Sequence, residues 1–206
     1  MKIRIWVIGA ALVVIAGAAF VVLGGYNVAA DEPHWKLTSS LMQTVRERSI
    51  AARSADIVVP PLDDEAQIRT GAGNYDAMCA GCHLRPGEND SELRAGLYPR
   101  PPDLARHRVH DPAAAFWVIK HGIKMSGMPA WGGHMEDEYI WGLVAFMKRL
   151  PDMSEASYRD LVEASGGHSH GGMAAEEDHG PEDHHADEAK PASAHAHAPG
   201  TPPHND

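Results

Sequence analysis

Cys79 and Cys82 are the only cysteines of the chain, and His83 follows the second directly. Two thiols three residues apart sit within one turn of helix, with an imidazole beside them. They are too close together to staple distant parts of a fold. A zinc site would want a second cysteine or histidine pair to complete four ligands, and further histidines concentrate in the polar C-terminal tract. A redox dithiol of the thioredoxin kind would want a βαβ pattern, and none is present. The remaining chemistry is covalent haem attachment, for which Cys79-Ala80-Gly81-Cys82-His83 has the C-x-x-C-H arrangement. The thiols add to the two haem vinyl groups as thioethers. His83 then presents its imidazole to the iron, and Gly81 leaves room for the porphyrin edge. An exported chain also removes the chance-motif reading that a reduced cytosolic protein would leave open.

A second stretch asks for an explanation. Met125 to Met135 reads MSGMPAWGGHM, too broken by glycine and proline for a helix. Buried methionines usually fill gaps in a core, and that is the default for Met125 and Met135. Met128 differs. Pro129 biases it to an extended backbone, and Gly127 beside it allows a close approach.

These residues need elements to position them. Ile5 to Leu23 carries no charge and follows Lys2 and Arg4. About 20 apolar residues span a bilayer core as a helix. The flanking cations keep the N-terminus cytoplasmic and send the remaining chain to the periplasm of a bacterial inner membrane. Val28-Ala29-Ala30 would suit a signal peptidase, but the apolar run is longer than a usual signal core, so a retained single-pass anchor over 1–25 is expected. Residues 26–61 read as a periplasmic linker. Leu37, Leu41 and Val45 recur at four-residue intervals, predicting a short amphipathic helix that packs them against the main domain, and Pro60-Pro61 ends the segment.

The compact domain is expected over 62–165, all-α. Asp63-Asp64-Glu65 opens a helix running toward Cys79. Asp111-Pro112 starts another that ends at Gly122. A third covers about Glu136 to Leu150, with Tyr139, Leu143, Phe146 and Leu150 on one face. Ser154 caps a last short helix. Long irregular loops lie between Leu84 and Asp111 and between Ile123 and His134, and such loops need an organiser. From 166 to 206 the chain is polar and histidine-rich and reads as a disordered tail.

With these elements in place the chain resembles the class I c-type cytochromes over about Leu62 to Leu150. The resemblance rests on the C-x-x-C-H motif, on Gly71 and Tyr75 eight and four residues before the first cysteine, on Leu143 and Phe146 in the last helix, on Pro101-Pro102-Asp103-Leu104, and on Gly127-Met128-Pro129. It implies a cytochrome c fold wrapped around one covalently attached haem c held by Cys79 and Cys82. His83 and Met128 would be the axial iron ligands. The carbonyl of Pro102 would hold the His83 ring, with Pro101 as the alternative because a proline stands where the family has glycine. Leu104, Tyr75 and Trp131 would contact the haem. In the family the last helix crosses the first at the glycine matched by Gly71.

A histidine and a methionine together fill the iron's axial positions, so the implied activity is one-electron transfer rather than catalysis. The expected partners are redox proteins of the membrane or periplasm. The net charge of −10 shows no basic face for nucleic acid. A haem enzyme or gas-binding haem protein would leave the sixth position open, and Gly127-Met128-Pro129 argues against it. The alternative is a periplasmic, copper-type metal-handling protein with haem as an accessory. Its basis is His168, His170, His179, His184, His185, His195, His197 and His204. Such tracts bind divalent metals weakly through imidazole.

Overall fold

The computed structural model describes residues 2–169. Helix α1 spans Lys2–Val22, with a mean hydropathy of 2.7 over its most apolar 18 residues and no buried residue. A helix apolar on every side is at home in lipid. Its 21 residues, at about 1.5 Å each, reach across a hydrocarbon core of about 30 Å.

The end of α1 is tied to the rest of the molecule through aromatic rings. Phe20 meets Trp35 at 5.9 Å between centroids, and Trp35 meets Tyr26 edge-on at 5.0 Å. The Tyr26 hydroxyl lies 2.8 Å from His34 Nδ1, and the His34 backbone N–H donates to the Tyr98 hydroxyl at 3.2 Å. The His34 and Tyr98 rings also stand edge-on at 4.9 Å.

Helix α2 covers Lys36–Ser54, so the helix predicted to be short is 19 residues long, and it ends well before Pro60. It packs on α6 (Pro112–His121), but not by the predicted face. Leu37, Leu41 and Val45 are 83%, 60% and 55% exposed. The side turned inward carries Arg46, Ile50 and Ser54, also spaced by four, with Ser54 buried. A small serine lets the backbone approach. Spacing by four gathers residues on one face, but it does not say which face the rest of the protein covers.

The core forms where α3 (Glu65–Met78) crosses α7 (Asp137–Arg149). The Asp64 carboxylate caps α3 by accepting from the Ala66 N–H at 2.7 Å. Ile68, Ala72 and Tyr75 of α3 meet Ile140, Leu143, Val144 and Phe146 of α7, all buried. Each large apolar side chain so covered contributes about 1.5–3 kcal/mol. Asp111 caps α6 through the Ala114 N–H at 3.0 Å, with Pro112 in its first turn. Phe116 of α6 stacks on Trp141 of α7 at 4.2 Å. After a 3₁₀ turn at Leu150–Asp152, a Ser154–Ser157 capping box starts α8 (Glu155–Ala164), which packs on α3.

The single turn expected for the cysteine pair is α4 (Ala80–His83), whereas α5 (Glu92–Ala95), also of four residues, falls in a stretch expected to be irregular. Among the described residues there is no strand. After α8 the described chain still touches α3. The Ser169 N–H donates to Oδ1 of buried Asn74 at 2.8 Å, and His168 Nε2 lies 3.0 Å from Met78 Sδ. The tail from residue 170 onward lies outside the described residues.

Candidate cofactor site

The end of α3 delivers the cysteines. The Cys79 N–H still bonds to the Tyr75 carbonyl at 2.9 Å, and the next turn closes with the His83 N–H on the Cys79 carbonyl at 2.9 Å. Leu84 then stops the helix at φ +69, in the left-handed region that a branched side chain rarely adopts. Such a conformation costs about 1–3 kcal/mol and persists only when its surroundings over-determine it. Here they do. The Leu84 side chain is fully buried, its N–H bonds to the Ala80 carbonyl at 2.8 Å, and its carbonyl accepts from the Tyr75 hydroxyl at 2.8 Å.

His83 is held from two sides. Its carbonyl accepts from the Leu104 N–H at 3.1 Å and the Tyr75 hydroxyl at 3.2 Å. Its Nδ1 lies 2.9 Å from the Pro102 carbonyl. A carbonyl can only accept, so Nδ1 carries the proton and Nε2 keeps its lone pair. The Pro101 carbonyl is taken by Arg94 Nε at 3.0 Å. Burial lowers the His83 pKa against the opposing pull of the Pro102 hydrogen bond, which favours neutral imidazole. Burial, with Cys82 adding to it, pushes the Cys79 thiol up to about 12. A redox dithiol would instead need a thiolate of low pKa.

Cys79, Cys82 and His83 face a cavity of about 380 Å³. Met128 and Trp131 face the same cavity from the loop after α6, and Leu104 and Pro102 from the loop before it. The methionine loop is stitched to the end of α6. The Trp131 N–H donates to the Ile119 carbonyl at 3.1 Å and the Gly132 N–H to the Lys120 carbonyl at 2.9 Å. Ile123 N–H donates to the Met128 carbonyl at 3.2 Å, and Ser126 Oγ accepts from the Met128 N–H at 3.2 Å. Gly122, at φ +65, lies against this loop so closely that a Cβ would come within 2.8 Å of the Met128 carbonyl oxygen. At Gly127 a Cβ would sit 2.6 Å from Leu97, so its close approach is to that side chain.

The other two methionines of the stretch point elsewhere. Met125 is 81% exposed, and Met135 is 3% exposed within the core. Tyr75 does not line the cavity; it supports the backbone of His83 and Leu84 and packs on Phe146 at 5.3 Å. Sequence reasoning missed Arg46 and Ile50 of α2, and Met78 and Leu97, all of which line the cavity. No signal in the sequence marks the α2 pair, because the face of α2 that is covered is set by its contact with α6.

These residues fit a haem. Two thiols and an imidazole with a free Nε2 stand on one wall, a thioether stands on another, and the lining is mostly apolar with no acidic residue. A wider, open depression of about 610 Å³ between α7 and α8 gathers Glu65, Arg69, Lys148 and Arg149, and none of the motif residues faces it. Among the described residues no group of three or more histidine, cysteine or acidic side chains is placed to hold a separate metal ion. Nothing there supports the copper-type alternative, and the histidines from His170 onward lie outside the described residues.

Residues 66–147 match the family model described as cytochrome c oxidase, cbb3-type, subunit III. No curated protein and no solved structure matches the chain.

Proposed function

We propose that His83 and Met128 are the axial iron ligands of this membrane-anchored class I c-type cytochrome, which holds one covalently bound haem c, and that it carries single electrons to a membrane-bound respiratory oxidase. The observation that carries the ligand assignment is that both side chains, from segments far apart in sequence, line the same apolar cavity as Cys79 and Cys82. Bound haem supplies an Fe(III)/Fe(II) couple, whose potential a histidine–methionine pair raises. The protein's part is to hold and to exclude. Pro102 fixes the His83 ring and its tautomer, Tyr75 fixes its backbone, and α6 holds the methionine loop. The apolar lining keeps water and substrates away, so transfer occurs without bond chemistry.

The chain is a single-pass inner-membrane protein with its haem domain on the periplasmic side. That placement, together with the likeness to an oxidase subunit over 66–147, supports an oxidase as acceptor. The test uses the full-length protein in detergent. Haem should resist acid–acetone extraction, titrate as a single one-electron couple, and show no spectral change when carbon monoxide is added to the reduced form. Carbon monoxide binding would overturn the ligand assignment. Failure to crosslink to, or reduce, an oxidase in native membranes would overturn the acceptor.

A further inference from the structure

Helix α2 lies outside residues 66–147, yet it forms part of the cofactor cavity through Arg46 and Ile50. The charge of that lining is lopsided. In a chain of net charge −10, no aspartate or glutamate faces the cavity. The cations that do face it as fixed charges are two guanidiniums, Arg46 and Arg100. They differ in one respect. Arg100 is already paired with Asp90, an ion pair that holds the Asp90 carboxyl down at about 2. The Arg46 side chain is half-buried and makes no hydrogen bond or ion pair among the described residues. Its nearest acidic neighbour in sequence, Glu47, is engaged by Gln43 at 2.8 Å.

A half-buried guanidinium on an apolar wall without a partner is costly unless a ligand supplies the anion. The group that fits this cavity carries two carboxylates on its edge. A carboxylate entering such a cavity needs a cation for the same reason, and the planar guanidinium fork matches it in two parallel hydrogen bonds. We infer that Arg46 binds a haem propionate carboxylate, and that α2 is thereby a wall of the haem site rather than a spacer between anchor and domain. This rests on the haem reading. Its consequence is that the helix next to the membrane anchor docks through the cofactor as well as through Ser54 and α6.

The experiment is resonance Raman spectroscopy and redox potentiometry on full-length R46Q, R46K and I50A. The propionate bending band reports hydrogen bonding to the carboxylates. In R46Q it should shift and the midpoint potential should fall, because a cation that disfavours Fe(III) is gone. In R46K the band should shift, since lysine cannot donate in a fork, while the potential stays near the parent value. I50A removes packing from the same wall but keeps the guanidinium, so its band should not move. The proposal is overturned if R46Q, with haem covalently attached, leaves the band in place, or if I50A moves it as far as R46Q does. Loss of covalent haem from the unaltered protein would be a different failure, that of the haem reading itself.

Discussion

Gly71 and Gly142 meet backbone to backbone where α3 crosses α7. A Cβ at Gly71 would lie 2.0 Å from the Gly142 carbonyl oxygen, and a Cβ at Gly142 would lie 3.1 Å from the Gln67 carbonyl oxygen. The crossing therefore tolerates a methyl group far worse on one side than on the other. Gly71→Ala must push the helices apart and is expected to cost about 2–4 kcal/mol. Gly142→Ala is expected to cost about 1 kcal/mol or less, since a few tenths of an ångström relieve it. Thermal unfolding of the haem-loaded variants followed by circular dichroism checks both. Equal stability of Gly71→Ala and the parent would contradict this packing.

Asp76 joins three parts of the haem domain. Arg85 Nε donates to its carboxylate at 2.7 Å and the Tyr158 hydroxyl at 2.8 Å, linking α3 to the segment after His83 and to α8. Burial raises the Asp76 pKa, but the Arg85 and Tyr158 hydrogen bonds outweigh it and the net shift is downward. A folded pKa below the unfolded one means that the stabilisation is complete above the ordinary carboxylate range and is lost as pH falls through the folded value. Asp76→Asn should therefore lower stability by roughly 1–2 kcal/mol at pH 7. That difference should persist down to about pH 4 and close below it. Urea unfolding of parent and variant across this range measures the gap, and a gap that grew on acidification would have the wrong sign.

Asn74 holds the chain that follows α8. Its buried Oδ1 has the Ser169 N–H as partner, so chain beyond Ser165 belongs with α3. Truncation after Ser169 should leave both the visible spectrum and the unfolding temperature unchanged. Truncation after Ser165 should also keep the spectrum but cost about 1–2 kcal/mol, from a buried acceptor left without its donor. Scanning calorimetry of the two truncated proteins separates the outcomes; identical transitions would show that residues 166–169 contribute nothing.

The haem-binding end of the chain was legible because its signals are local. Asp64, Asp111 and Ser154 each cap the helix that their sequence context announces. The all-α class follows from the same caps and spacings. What stayed hidden depends on tertiary contact. Nothing in Leu37, Leu41 and Val45 says that they face outward, and nothing in Arg46 says that it faces a cavity. Pro102 was separable from Pro101 only when Arg94 was seen to occupy the Pro101 carbonyl. Tyr75 stands one helical turn from Cys79, yet it reaches the backbone beyond His83 rather than the cavity.

The central claim is that Met128 supplies the sixth ligand, and the near-infrared sulfur-to-iron band of the oxidised protein tests it most directly. Met128 lines the cavity with its backbone fixed by Ile123, Ser126 and Pro129, whereas Met125 is exposed at φ +58 and Met135 is packed in the core. Full-length Met128→Ala should lose the band, bind carbon monoxide when reduced, and keep its covalent haem. Met125→Ala should keep the band at full intensity. Persistence of the band in Met128→Ala, or its loss in Met125→Ala alone, would contradict the assignment.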